Sequence, residues 1–231
     1  MIYFIYKYQR GRLMIKAAAY NCEPLQNPFK FDEIYDMISP QRRAHVDEAK
    51  TMKGKCERLG AYHLLEKLLW ENHIQRPYVY STTSQGKPIF IQPKNVEFSI
   101  SHSDYFAVCA ISDKPVGIDV ERIRPFDRKL VERYFTKYDL EFLESVKRNE
   151  LDKKFTEVWT FKEATSKMMD RPLMQVMQWV DYSEYCDCEK GKLEWTKQGF
   201  EFRDYYITLC YEDSRQPIQM GLYNPNDGRY Y

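Results

Sequence analysis

Glycine and proline are scarce in this sequence, 9 and 11 of 231 residues, and no low-complexity segment interrupts it. What remains is a globular composition, 43% hydrophobic and 30% charged, with apolar side chains enough for a core that needs neither disulfides nor a structural metal. A surplus of either charge is also missing, since 35 basic residues face 34 acidic ones. A general nucleic-acid coat needs a basic surplus to match phosphates; that class is disfavoured, while a local basic pocket is not. The six cysteines, Cys22, Cys56, Cys109, Cys186, Cys188 and Cys210, never fall at the two-residue spacing of zinc knuckles or redox motifs. Cys109 and Cys210 lie in apolar runs and read as small core residues. No apolar run reaches the length of a membrane span. The apolar start, Met1 to Tyr6, is short, lacks a basic lead-in and soon meets Lys7, so it reads as a first strand and not a leader. The expectation is a soluble chain in a reducing cytoplasm.

What is present falls into blocks of helix followed by blocks of strand. Ser39-Pro40 is a cap-and-proline helix start, with a charged helix to about Lys50. A second helix spans Lys53 to His73, where Leu59, Tyr62, Leu65, Leu68 and Leu69 recur near helical period, and Arg76-Pro77 ends it. Short strands follow at 78–80, 89–91, 96–100, 105–111 and 116–120. The second half repeats this order. Asp127 to Tyr134, Lys137 to Arg148 (capped by Thr136) and Asp152 to Met169 read as helices. Val176 to Tyr182, Lys192 to Trp195, Phe200 to Arg203, Tyr205 to Tyr211 and Ile218 to Tyr223 read as strands. Without strict strand–helix alternation the class is α+β: two similar helix-plus-antiparallel-sheet lobes, residues 1–115 and 116–231.

Three stretches could carry chemistry. In Phe98-Ser99-Ile100-Ser101-His102-Ser103 a histidine between two serines offers charge and hydroxyl donors to a phosphate oxygen, or is a surface histidine at a capped turn. In Val116-Gly117-Ile118-Asp119-Val120-Glu121 strand alternation sends Asp119 and Glu121 to one face. Two adjacent carboxylates repel, and a hard divalent cation resolves the conflict; the alternative is an edge strand whose acids face solvent. In Trp159-Thr160-Phe161-Lys162-Glu163-Ala164-Thr165-Ser166-Lys167 the Glu163–Lys167 spacing is that of a surface ion pair worth about 0.2–0.5 kcal/mol, or else supplies a third acidic ligand and a phosphate-binding ammonium. Helical period alone does not choose between them. His45, His63 and His73 have no acidic partners at ligand spacing and read as surface or packing residues.

Taken in order, with Gly86-Lys87-Pro88 ahead of them, these stretches resemble the 4′-phosphopantetheinyl transferases of the two-lobed, surfactin-synthetase-activating (Sfp-like) type. That family carries a Gly-Lys-Pro turn, a Phe-Asn-x-Ser-His-Ser segment, a Gly-x-Asp-x-Glu strand and a Trp-x-x-Lys-Glu-x-x-x-Lys helix in this order. The likeness spans about Ser39 to Lys167. Ser99 replaces the usual asparagine, and Met168-Met169-Asp170-Arg171-Pro172-Leu173 stands where a glycine-rich turn is common. The resemblance implies a pseudo-dimeric fold in one monomeric chain, with the active site between lobes. It implies transfer of phosphopantetheine from coenzyme A to a serine of an apo acyl or peptidyl carrier protein, releasing adenosine 3′,5′-bisphosphate. Asp119, Glu121 and Glu163 would hold Mg²⁺ (or Mn²⁺). Glu163, Lys167 and His102 would be catalytic, and Ser101, His102, Lys87, Pro88, Lys167 and the basic Arg42, Arg43 and Arg58 would contact the coenzyme. Neither nucleic acid nor membrane is an expected partner. A metal-dependent nuclease and a non-catalytic binder of coenzyme A or carrier proteins are the competing expectations; nuclease sites usually set the acid and lysine two apart on a strand, not four apart on a helix.

Overall fold

The computed structural model of this chain describes residues 2–7, 15–185, 196–212, 219–224 and 229–230. It divides into two compact units: Met1–Ser81, Ile89–Lys114 and Ile218–Tyr231 form the first, Thr82–Pro88 and Pro115–Pro217 the second. The class is α+β.

The first unit is built on an antiparallel sheet of six strands. Its spatial order is β11 (Arg229–Tyr230), β10 (Gln219–Asn224), β1 (Ile2–Lys7), β2 (Ile15–Asn21), β6 (Phe106–Ser112) and β5 (Glu97–Ser103). Three helices accompany it: α1 (Pro28–Met37), α2 (Pro40–Asp47) and α3 (Met52–Glu71). Each starts on a polar cap, Asn27, Ser39 or Thr51, whose side chain accepts a backbone N–H of the first turn. α3 packs on β2, β5 and β6, burying Leu59, Tyr62, Leu65, Leu68 and Leu69 against Ala18, Phe98, Cys109 and Ile111. Every residue of β6 is buried. A two-stranded ribbon, β3 (Val79–Thr82) and β4 (Pro88–Gln92), completes this half of the sequence.

The second unit sets four helices with a three-stranded antiparallel sheet. β9 (Tyr205–Tyr211) is central, between β7 (Val116–Arg122) and β8 (Thr196–Phe202). The helices are α4 (Arg128–Tyr134), α5 (Lys137–Ser145), α6 (Leu151–Met169) and α7 (Leu173–Trp179). α6 lies on β7 and β9, with Phe155, Val158, Phe161 and Ala164 in the core. Val176 to Tyr182, expected as a strand, is instead α7 followed by a short 3-10 turn, Tyr182–Tyr185. The cause is spacing: Pro172 stands before the first turn, and Val176 and Met177 are buried beside α6. The strand expected at Lys192 to Trp195 lies outside the described residues, as do Cys186 and Cys188. Cys109 and Cys210 are core thiols.

The second unit contains a fully buried ion pair. Lys162 and Asp139 have no exposed side-chain surface, and their charged groups meet directly. The ammonium also donates to the carbonyls of Met177 (3.1 Å) and Val180 (2.5 Å). Asp139 closes the capping box of α5 with Thr136 and accepts the Tyr182 N–H at 2.8 Å. One pair thus joins α5, α6, the end of α7 and the turn beyond it. Removing one partner strands the other charge in the core, so Lys162→Met should cost about 3–5 kcal/mol in urea unfolding. Lys162→Met combined with Asp139→Leu should recover part of that loss; equal stability of wild type and single mutant would show that the pair holds nothing.

Candidate functional site

Strand alternation along β7 places Gly117, Asp119 and Glu121 on one face, and that face meets α6. Gly117 makes the approach possible. A Cβ there would lie 1.9 Å from the Ala164 carbonyl oxygen and 2.6 Å from the Met168 nitrogen, both backbone atoms of α6. With strand and helix so close, Asp119 reaches the residues one turn along α6. Asp119 is 1% exposed, so the reading of β7 as an edge with all its acids in solvent does not hold for it. Lys167 donates to Asp119 Oδ1 at 2.6 Å and to the Ile118 carbonyl at 3.3 Å, while its Nζ stands 3.9 Å from Glu163 Oε2. The short partner of Lys167 is therefore across the interface, not along its own helix.

Glu163 is fixed from the other side. Trp159 Nε1 donates to its Oε1 at 3.0 Å, and the Trp159 ring carries the Arg124 guanidinium 4.1 Å from its centroid. Burial pushes the Glu163 carboxyl up to about 7; the charge of Asp119 and then that of Glu121 add to the shift, against the opposing pull of Lys167 and the Trp159 bond. Glu163 thus senses both strand carboxylates.

By donor chemistry the three carboxylates suit a hard divalent cation, which prefers oxygen ligands and offsets their mutual repulsion. They do not form a closed cage. Among the described residues no group of three His, Cys, Asp or Glu side chains is assembled to hold a metal. Lys167 engages Asp119 Oδ1 and Trp159 engages Glu163 Oε1, so these bonds use one oxygen of each carboxylate.

The Gly-Lys-Pro turn also belongs to the second unit. Gly86 has φ +83, and Thr83 closes the turn by donating its N–H to the Lys87 carbonyl (2.9 Å) and accepting the Lys87 N–H at Oγ1 (3.2 Å). Thr83 Oγ1 in turn donates to Asp170 Oδ1 at 2.8 Å. Asp170 is the left-handed C-cap of α6, φ 49, where glycine is commonest. Here an aspartate takes that conformation and uses its side chain to hold the Lys87 turn.

The remaining expected residues lie in the first unit. Ser101 and His102 are within β5, which runs on to Ser103 instead of ending at Ile100. His102 Nδ1 lies 3.4 Å from Glu57 Oε2. Arg42, 7% exposed, is enclosed by aromatic rings, its guanidinium 3.8 Å from the Tyr80 centroid and 4.5 Å from that of Tyr62. Arg43 donates to the carbonyls of Ile38 (3.2 Å) and Asp36 (2.7 Å), and Arg58 to that of His45 (2.6 Å). Each arginine therefore has a structural task. His63 packs edge-on to Tyr20, and burial lowers its pKa to about 4.

Comparison with known proteins adds to this geometry. Residues 115–213, which include Asp119, Glu121, Glu163 and Lys167, match the family model of the 4′-phosphopantetheinyl transferase superfamily. Among curated proteins, the chain is similar to the 4′-phosphopantetheinyl transferase gsp of Aneurinibacillus migulanus, 36% identical over 46% of this chain and 45% of that protein. It is also similar to psf-1 of Bacillus pumilus (27%, covering 60% of each) and to Sfp of Bacillus subtilis strain 168 (28%, covering 62% and 64%). The chain thus spans between about half and two thirds of these relatives' lengths.

Two outcomes follow from the α6–β7 contact. Gly117→Ala forces the helix backbone away from the strand and should cost about 1–3 kcal/mol, the usual range for overpacking, in thermal or urea unfolding. Unchanged stability would mean that the two backbones are not in contact. Glu163, with its folded pKa near 7 against an ordinary 4.5, keeps a proton that the unfolded chain releases between those values. In chelator, native stability should therefore decline as pH rises through this window. Glu163→Gln should improve relative to wild type between pH 4.5 and pH 8; a mutant offset independent of pH would show an ordinary carboxyl.

Proposed function

We propose that this protein transfers the 4′-phosphopantetheine arm of coenzyme A to a serine of an apo acyl or peptidyl carrier protein, with a divalent cation such as Mg²⁺. The observation that supports this most is the meeting of Lys167 with Asp119 and, at longer range, with Glu163, inside the segment that matches the transferase superfamily. Asp119, Glu121 and Glu163 would hold the cation. When bound there, it would offset the charge of the coenzyme's pyrophosphate and orient it for in-line displacement.

In the balanced reaction the serine oxygen bonds to the β-phosphorus, the bridging oxygen leaves with adenosine 3′,5′-bisphosphate, and the serine proton must be taken up. Glu163 would receive it only while it is not held tightly by the cation, because a carboxylate bound to a dication is a weak base. Lys167 sits between two carboxylates and presents a cation to the leaving phosphate. Lys87, on the turn held by Thr83 and Asp170, serves the nucleotide, together with Pro88. In the first unit Ser101 and His102 serve the coenzyme phosphates, with Arg42, Arg43 and Arg58 as further basic groups. Among the described residues no helix is long and apolar enough to cross a membrane.

The test is mass spectrometry of apo carrier proteins after incubation with coenzyme A and Mg²⁺. Wild type should add the phosphopantetheine mass, and Asp119→Ala should lose at least about 10²-fold in rate while keeping its fold. Near-normal turnover by Asp119→Ala would remove the metal site from the mechanism, and no mass gain on any carrier would remove the transferase reading itself.

A further inference from the structure

Glu57, on α3 of the first unit, is a largely buried carboxylate outside the chemistry described above. Its side chain is 11% exposed. Oε1 accepts the Tyr105 backbone N–H at 3.0 Å, and Oε2 lies 3.4 Å from His102 Nδ1. Lys53, one turn earlier, stands 4.0 Å from Oε1 but gives its close contact to Asp104, at 2.5 Å. Both partners of Glu57 belong to one hairpin. β5 and β6 pair Ser103 with Phe106, and the two residues between them, Asp104 and Tyr105, have φ 48 and 66, as a tight two-residue hairpin turn requires. One carboxylate thus ties the turn and the histidine to the same helix. Burial pushes the Glu57 carboxyl up, but the bonds from His102 and the Tyr105 N–H outweigh it and leave it below the ordinary carboxylate range.

We propose that Glu57 is a positioning residue for His102, holding the imidazole by Nδ1 so that Nε2 is the nitrogen offered to a phosphate oxygen of the coenzyme. This rests on the reading that the protein binds coenzyme A. A carboxylate beside Nδ1 selects the ring form with a proton there, and with a phosphate oxygen at Nε2 as well both nitrogens must donate. Without it, the ring can turn and need not present Nε2 to the phosphate. The His102 side chain is 37% exposed and so can be reached by a ligand, whereas Glu57 itself is covered.

The experiment combines a double-mutant cycle with NMR of the imidazole. Glu57→Gln keeps an oxygen for the Tyr105 N–H, and so the hairpin, while removing the charge. It should weaken coenzyme A binding in calorimetry about tenfold, the scale of one charge-assisted hydrogen bond, and raise KM for the coenzyme far more than it lowers kcat. In a His102→Ala background the same substitution should change binding by less than about twofold, because the residue it positions is gone. Equal losses in both backgrounds would overturn the proposal, leaving Glu57 only as a brace for the hairpin. The ¹⁵N shifts of the His102 ring supply a readout independent of activity: Glu57→Gln should shift the protonation of Nδ1, and unchanged shifts would equally overturn it. A wild type that binds no coenzyme A yet shows this coupling would sink the transferase reading and the phosphate role, while the clamp on the ring would stand.

Discussion

A lysine ammonium with no contact to solvent costs several kcal/mol unless its environment replaces the lost water, and in the second unit that replacement organises the structure. Lys162 finds a carboxylate from α5 and two carbonyls from α7 and its C-cap. Asp139 is drawn into the core by the same need, and spends its remaining lone pairs on the α5 cap and on the Tyr182 N–H. The pair offers no obvious net gain over an apolar contact of equal volume. It does require α5, α6 and α7 to adopt one arrangement, because any other leaves a buried charge exposed to nothing. Glu163 is the next residue along α6, so the direction in which it projects is set by how Lys162 is buried.

Gly117 supplies the matching constraint from the strand. Where Lys162 fixes the rotation of α6, the absent Cβ fixes its distance from β7, and the Asp119–Lys167 contact needs both. The charges at the site then become intelligible. A buried strand carboxylate accepts a helix ammonium, and a second carboxylate, unable to share that ammonium at short range, is left with a raised proton affinity and an indole N–H. A group of this kind can give up its proton to admit a dication, or once ionised take one up, near neutral pH, whereas a carboxylate in open water would already be ionised.

Much of this was legible in the sequence wherever local signals agreed. Ser39-Pro40 and the Leu59 to Leu69 period marked α2 and α3, and alternation in Val116 to Glu121 put both acids on one face. β2 escaped because Ala17-Ala18-Ala19 has none of the β-branched bulk that marks a strand. α1 could have been found, since Asn27-Pro28 repeats the cap-and-proline signature of Ser39-Pro40. Val176 to Tyr182 misled through its Val and Trp content, although its buried residues keep helical spacing. At the site, Asp119, Glu163 and Lys167 could be read from motif order, but the reason for Gly117 could not, because a close approach between backbones leaves no mark on either segment alone. The burial of Lys162 and Arg42 was equally hidden: a basic residue on a helix reads as solvated until its partners, distant in sequence, are known. Glu57 had no local signal at all, since both residues it holds lie on a hairpin far along the chain.

The Glu163–Lys167 spacing shows most clearly what sequence leaves open. As a surface pair it would stabilise α6 by a few tenths of a kcal/mol and do nothing else. The structure separates the two readings by distance: Lys167 is 2.6 Å from a carboxylate on another element and 3.9 Å from the one on its own helix. A solvated helix pair would have no reason to prefer a buried aspartate, which must give up water to be there. That preference means that the ammonium is serving the strand's charge, while burial and then the charge of Asp119 keep the proton affinity of Glu163 raised.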